Sequence, residues 1–272
     1  MIDTGYFRSG DNELSYSCVI PPGHAERVGI LFVHAANGNR LGPHRMFVEF
    51  ANSFNSLGYS TLRFDLSGCG DSTGSASRND IAAEVFDTTE AIKFFMASAN
   101  LEKIILFGIS RGARVCYSIM TQQELPLRGM ILLSPPTSSN KAALNSFRLR
   151  LHEYFCKLRD PEHLRKLLSG RANIRQIQQT LTAALQLKNR YAQPENKLFA
   201  TKCPVLLIYG EQDSMAEESC RYYRTKCSEN NTLCECHFVA DSNHSFFHYK
   251  WKEQILDISK QWLERISNQV LI

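Results

Sequence analysis

The chain has 272 residues, of which 43% are hydrophobic and 21% charged, and its formal net charge is +4. These values are typical of a soluble globular protein and exclude a disordered or fibrous chain. The N-terminus has no basic segment followed by an apolar one, and no apolar run approaches ~20 residues, so we expect a cytoplasmic protein without a membrane span.

Apolar periodicity predicts strands that alternate with helices. Residues 5–20 are predicted to form a hairpin that turns at residues 9–12. The later strands are predicted at residues 28–34, 59–66, 103–107, 128–134, 204–210 and 235–240. The helices between and after them are predicted at residues 46–57, 81–95, 113–120 and 251–266. This order predicts an α/β fold with a mostly parallel, doubly wound sheet and an antiparallel N-terminal hairpin at one edge.

Residues 137–203 contain no strand signal and show the apolar spacing of helices. We expect a single domain over residues 1–272 in which this segment is a helical cap above the carboxyl ends of the strands. Nine Lys and Arg residues lie between residues 141 and 175, against three acidic ones. This excess indicates either a solvated helix face or attraction to an acidic partner or an anionic substrate group.

Residues 108–112 read Gly-Ile-Ser-Arg-Gly, which fits the pattern G-x-S-x-G. The pattern is short, and an ordinary strand-to-helix turn that contains a serine would also match it. Here it follows a buried apolar strand and precedes a helical pattern, which is the context of a nucleophile elbow. We therefore predict that Ser110 is a catalytic nucleophile.

A serine nucleophile needs a base and a carboxylate that orients the base. Asp213 follows the strand at 204–210, and His244 follows the strand at 235–240. The order serine, aspartate, histidine matches that of α/β-hydrolases. Glu211 is the credible substitute acid, and the structural alternatives are a turn aspartate and a loop histidine.

The developing oxyanion needs backbone donors. We predict the N–H groups of Ala36 and Arg111, with Ala35 as the next choice after Ala36. Ala35, Asn37 and Arg111 are the predicted substrate contacts. The long side chain of Arg111 either packs away from the site or reaches an acidic group of the substrate.

Nine cysteines occur at spacings that fit no disulfide framework and no common zinc motif. We expect free, mostly buried thiols, with Cys234 and Cys236 on the same face of a strand. Neither a metal nor a cofactor is predicted.

The sequence resembles the α/β-hydrolase superfamily over nearly its whole length. The matching segments are residues 34–38 (His-Ala-Ala-Asn-Gly), 63–72 (Arg-Phe-Asp-Leu-Ser-Gly-Cys-Gly-Asp-Ser), 108–112, 210–213 (Gly-Glu-Gln-Asp) and His244. Residues 41–45 (Leu-Gly-Pro-His-Arg), followed by 63–72, further resemble the serine-aminopeptidase-like branch. Within that branch the chain is similar to the bacterial hydrolases associated with exosortase and exopolysaccharide gene systems, and residues 164–175 resemble their cap segment. The resemblance implies that Asp65 and Asp71 are structural turn residues. The usual His-Gly at the oxyanion strand end is His34-Ala35 here.

We therefore expect a serine hydrolase that cleaves a carboxylic ester or thioester through an acyl-enzyme on Ser110. One alternative is an acyltransferase that uses the same acyl-enzyme in polysaccharide or secondary-metabolite assembly. A less favoured alternative is a non-catalytic ligand-binding protein on the same fold. The expected partner is a small-molecule acyl substrate, free or bound to an acidic carrier protein, and no nucleic acid is expected. The sequence leaves the oligomeric state open.

Overall fold

A computed structural model describes residues 2–22, 27–36, 38–75, 80–137 and 201–268. The predicted cap at 137–203 lies outside the described residues, except for its first residue and its last three, and Asn37 also lies outside them. The cap and the roles assigned to Asn37 therefore stay predictions.

The described residues form eight strands, five α-helices and one short 3₁₀-helix (Pro43–Arg45). The strands are β1 (Ile2–Ser9), β2 (Asn12–Val19), β3 (Val28–Val33), β4 (Ser60–Phe64), β5 (Lys103–Ile109), β6 (Leu127–Leu133), β7 (Val205–Gly210) and β8 (Cys234–Val239). The helices are α1 (Met46–Ser56), α2 (Ile81–Ser98), α3 (Arg111–Gln122), α4 (Ala216–Glu229) and α5 (Tyr249–Asn268). No helix among them is both long and apolar enough to cross a membrane.

All eight strands belong to one sheet, in the order β1-β2-β4-β3-β5-β6-β7-β8. The pairs β1–β2 and β2–β4 are antiparallel, and every later pair is parallel. The predicted fold class is thereby confirmed. Because β3, β5, β6, β7 and β8 run the same way, the loops that follow them meet at one edge of the sheet.

Alternating residues of the strands supply two apolar cores, one on each face of the sheet. Ile104 and Leu106 of β5 pack with residues of α2, α3 and α4. Ile105 and Phe107 pack on the other face with residues of α1 and α5. The continuous apolar run of this strand is therefore explained by helices that cover both faces.

The sequence analysis named no helix where α4 lies. Its buried side chains follow the helical spacing of three and four residues, but most of them are small or polar in character: Ala216, Ser219, Cys220, Tyr223 and Cys227. Because most of these residues are not aliphatic, the pattern of apolar residues does not predict this helix.

The expectation that all cysteines are free is wrong for one pair, because a disulfide joins Cys220 of α4 to Cys236 of β8. The pairing was not predicted, because the helix that carries Cys220 was not predicted. Within the described part of the chain, six other cysteines are free and mostly buried. Cys234 and Cys236 both lie in β8, as predicted. No group of three or more His, Cys, Asp or Glu side chains among the described residues could hold a metal ion.

Candidate active site

Ser110 lies in the sharp turn between β5 and α3, where its φ is 51° and its ψ is −120°. A positive φ is rare for a residue other than glycine, and such strain concentrates at functional sites. The two flanking glycines allow the turn. A Cβ on Gly108 would lie 2.6 Å from the Cα of Ala113, and one on Gly112 would lie 2.2 Å from the carbonyl oxygen of Val33. The predicted sharp strand-to-helix turn is therefore present, and its second glycine lets α3 approach the end of β3. That Ser110 acts there as a nucleophile stays a prediction.

The three predicted catalytic side chains form one hydrogen-bonded chain. The Oγ of Ser110 lies 3.0 Å from the Nε2 of His244. The Nδ1 of His244 lies 2.7 Å from the Oδ2 of Asp213. Because the Asp213 carboxylate can only accept, Nδ1 carries the proton and Nε2 can accept one from Ser110. This is the arrangement that a serine nucleophile, a base and an orienting acid require.

Asp213 is held in its ionised form by its neighbours. Burial alone would raise the pKa of this carboxyl. The hydrogen bond and the electrostatic interaction with His244, together with the backbone N–H of Met215, outweigh burial and lower the pKa. The carboxylate is therefore available to orient the His244 ring and to stabilise the imidazolium that forms during catalysis.

The loops that carry the acid and the base are joined to each other. Glu211 accepts a hydrogen bond from the backbone N–H of Asp241 at 3.1 Å, and the N–H of Gln212 donates to the carbonyl of Ser242 at 2.8 Å. A Cβ on Gly210 would lie 2.5 Å from that same carbonyl oxygen. Glu211 therefore lies in the contact between these two loops, whereas Asp213 is hydrogen-bonded to His244.

His34 anchors the predicted oxyanion loop, a role that the sequence analysis did not assign. The N–H of Leu66 donates to its Nε2 at 3.1 Å, so Nδ1 carries the proton and donates to the carbonyl of Ala35 at 2.7 Å. Burial lowers the pKa of His34, which keeps the ring neutral. The N–H of Gly38 donates to the same carbonyl at 3.0 Å.

Ala35 and Ala36 follow β3, which pairs with β5 in a register that sets Val33 beside Gly108. The loop and the elbow therefore leave neighbouring strands at the same edge of the sheet. This placement agrees with the predicted oxyanion role of Ala36 and the predicted substrate contact at Ala35, which both stay predictions.

The Arg111 side chain packs against α2. Its Nε lies 2.8 and 2.7 Å from the two carboxylate oxygens of Glu84, and both side chains are buried. Of the two alternatives for this side chain, the structure therefore supports packing away from the site. In this arrangement the guanidinium binds Glu84 and does not face a substrate. The backbone N–H of Arg111, at the first residue of α3, stays the predicted oxyanion donor. The sequence signal that could have found Glu84 is an acidic residue on the apolar stripe of α2.

A second ion pair, between a buried carboxylate and a partly exposed guanidinium, joins two neighbouring loops. The fully buried Asp65 pairs with the guanidinium of Arg40 and accepts the N–H of Asp71 at 3.0 Å. Arg40 also pairs with Asp71 at 2.7 Å. A Cβ on Gly70 would collide with the Asp65 carboxylate. The structural role implied for Asp65 and Asp71 agrees with these contacts.

The sequence is similar to one family of known proteins and to several lipases. Residues 39–248 match the family model described as serine aminopeptidase, S33. The lysophosphatidylserine lipase ABHD12 of Gallus gallus is 30% identical over 129 residues, which are 46% of this chain and 32% of the relative. The ABHD12 lipase of Danio rerio is 26% identical over 190 residues, which are 68% of this chain and 43% of the relative. The chain therefore spans less than half the length of these curated relatives.

Two solved structures show the same fold. The alpha/beta hydrolase domain-containing protein 10 from mouse superimposes with a TM-score of 0.65 at 14% identity, over 97% of this chain and 99% of that one. An esterase of Pyrococcus furiosus superimposes with a TM-score of 0.67 at 20% identity, over 97% of this chain and 90% of that one. At these identities the likeness establishes the α/β-hydrolase fold.

Proposed function

The chain belongs to the serine aminopeptidase S33 family of the α/β-hydrolase superfamily, and on that basis we propose that it is a serine hydrolase of carboxylic esters or thioesters. The observation that carries the proposal is the hydrogen-bonded chain from Ser110 through His244 to Asp213. A serine linked in this way to a histidine and an ionised carboxylate is activated for attack on an acyl carbon.

The proposed reaction has two halves. In the first, the Ser110 Oγ attacks the acyl carbonyl while the Nε2 of His244 takes its proton. The backbone N–H groups of Ala36 and Arg111 stabilise the oxyanion of the tetrahedral intermediate. His244 then protonates the leaving alcohol or thiol, which departs and leaves an acyl-enzyme. In the second half, water attacks the acyl carbon while His244 takes its proton. The bond between the acyl carbon and the Ser110 Oγ then breaks, His244 returns the proton to Ser110, and the free acid leaves.

We favour esters over peptides as substrates because several relatives are ester hydrolases. The curated relatives are lipases, and one structural neighbour is an esterase. The finer placement among hydrolases of exosortase and exopolysaccharide systems stays a prediction from residues 41–45 and 164–175.

The proposal is tested by steady-state hydrolysis of short p-nitrophenyl esters and acyl thioesters. We expect Ser110→Ala to lower kcat by at least about 10⁴-fold while the thermal unfolding curve stays close to that of the wild type. Near-normal turnover by this variant would refute the mechanism.

The same acyl-enzyme would carry out acyl transfer if an alcohol or amine replaced water in the second half. Product analysis with an added alcohol acceptor separates the two reactions. We expect the free acid as the main product, and a predominant ester product would favour the acyltransferase.

A further inference from the structure

Five aromatic rings form a continuous ridge beside the loop that carries the catalytic base. We call it the aromatic ridge, and its members are His44, Phe247, His248, Tyr249 and Trp251. Neighbouring ring centroids are 6.2 Å apart for His44 and Phe247, and 5.0 Å apart for Phe247 and Trp251. His248 continues the ridge, at 5.4 Å from Trp251 and 4.8 Å from Tyr249.

The ridge is largely open to solvent. Phe247 is 50% exposed and Tyr249 is 57% exposed. His44 and His248 are exposed as well, and Trp251 is partly buried. Leu41, on the same loop as His44, adds an aliphatic side chain that is 40% exposed. A contiguous group of exposed apolar side chains marks an interaction surface more often than a scattered one does.

The backbone beneath the ridge is fixed in an unusual conformation. His44 and Arg45 have φ angles of 49° and 61°, and Phe246 has a φ of 49°. Left-handed residues other than glycine persist where the surrounding structure holds them. Phe246 is fully buried, and the Nζ of Lys252 binds the Glu49 carboxylate at 2.6 Å. The backbone that carries the ridge is therefore held in a defined conformation by these contacts.

The charges around the ridge favour an anionic partner. Arg45 and Lys250 are exposed cations within the two segments that supply its rings. Lys252 and Glu49 neutralise each other, and Glu253 is the exposed acid one turn farther along α5. Exposed Lys and Arg side chains next to a membrane are attracted to anionic lipid.

We propose that the aromatic ridge docks the protein on an anionic lipid surface, from which an acyl substrate can reach the neighbouring His244. The inference rests on the proposed ester chemistry. Tyr, Trp and His side chains combine an apolar body with a polar tip, which suits the boundary between headgroups and acyl chains. A protein partner is the competing occupant, and a ridge substitution that changes the oligomeric state without changing vesicle binding would support it.

Vesicle binding tests the ridge independently of turnover. The probes are vesicles of phosphatidylcholine alone and vesicles that also contain phosphatidylglycerol, and all proteins carry Ser110→Ala so that no substrate is consumed. The test variant is Phe247→Ser with Tyr249→Ser. The matched control is Phe86→Ser with Phe238→Ser, since these rings are 50% and 45% exposed but lie on α2 and β8.

We expect the parent and the control to bind the phosphatidylglycerol vesicles, and the ridge variant to bind at least about 10-fold more weakly. Arg45→Asn with Lys250→Gln tests the charges if the ridge variant does not fold, because asparagine tolerates a left-handed backbone. It should weaken binding and reduce its dependence on salt.

Three outcomes would overturn the proposal: no vesicle binding by the parent, equal losses in the ridge variant and the control, or a ridge substitution that changes oligomeric state and leaves binding unaltered. The ester assay fails or succeeds separately, since the binding measurement needs no turnover.

Discussion

The two sides of the site are built in opposite ways. On the nucleophile side, polar groups are buried and paired within the chain, as with His34, the Arg111–Glu84 pair and the Arg40–Asp65 pair. On the base side, His244 is half-exposed and is followed by the exposed rings of the aromatic ridge. We infer that the buried pairs fix the position of Ser110, whereas the exposed residues after His244 are accessible to a partner. Substitutions on the two sides should therefore change different quantities.

The largest expected effect is on turnover. Asp213→Asn should lower kcat by about 10⁴-fold, because the amide orients the His244 ring in the wrong tautomer and cannot stabilise the imidazolium. Glu211→Gln is the matched control, since Glu211 contacts the neighbouring loop and not the histidine. Ester kinetics of both variants check this prediction. If Glu211→Gln were the more damaging change, the assignment of the acid would be wrong.

The next effect concerns stability on the buried side. Glu84→Gln removes the carboxylate charge beside the buried Arg111, and breaking such a pair costs about 3–5 kcal/mol of the free energy of unfolding. The double variant Glu84→Gln with Arg111→Met removes both charges and should lose less than the sum of the losses in Glu84→Gln and in Arg111→Met alone. Urea denaturation measures the three free energies. Additive losses would show that the ion pair does not couple α2 to the elbow.

A smaller effect is expected from the elbow glycine. Gly112→Ala places a Cβ against the carbonyl oxygen of Val33, which should cost about 1–3 kcal/mol of stability through overpacking. The accompanying displacement of Ser110 should lower kcat by about 100-fold. Gly58→Ala is the control, because its Cβ meets open space and its cost comes from a positive φ alone. Equal kinetic effects of the two substitutions would contradict the close approach at the elbow.

The smallest effect is a dependence of stability on pH. Burial holds the pKa of His34 below its ordinary value of 6.5. Since the unfolded chain binds this proton more readily, the free energy of unfolding should fall as the pH drops through 6.5 toward the folded-state pKa. His34→Asn removes this dependence. Thermal unfolding at about pH 7 and about pH 5 compares the two proteins, and parallel losses in both would exclude His34 as the source.

Local patterns in the sequence were enough to predict the sheet and the three side chains that the structure joins by hydrogen bonds. Ser110 and Asp213 follow strands with a continuous apolar run, whereas His244 follows the more polar strand β8. Parallel strands bring their carboxyl ends together. The supports of the site were missed because they depend on distant partners. Glu84 meets Arg111 across 27 positions of the chain, and His34 meets the backbone of Leu66 across 32.

The aromatic ridge and the disulfide were missed for the same physical reason. His44 and Phe247 lie in loops that come together only after the helices α1 and α5 have packed on one face of the sheet. Cys220 belongs to a helix whose buried face is too polar to be seen as an apolar stripe. Neither contact has a local signature.

The central claim, that Ser110 is an activated nucleophile, is tested most directly by covalent labelling with a fluorophosphonate probe and mapping of the modified peptide. The account predicts rapid modification of Ser110 in the wild type, no modification in Ser110→Ala, and strongly slowed modification in His244→Ala. Rapid labelling that persists in Ser110→Ala, or a lack of labelling in the folded wild type, would contradict it.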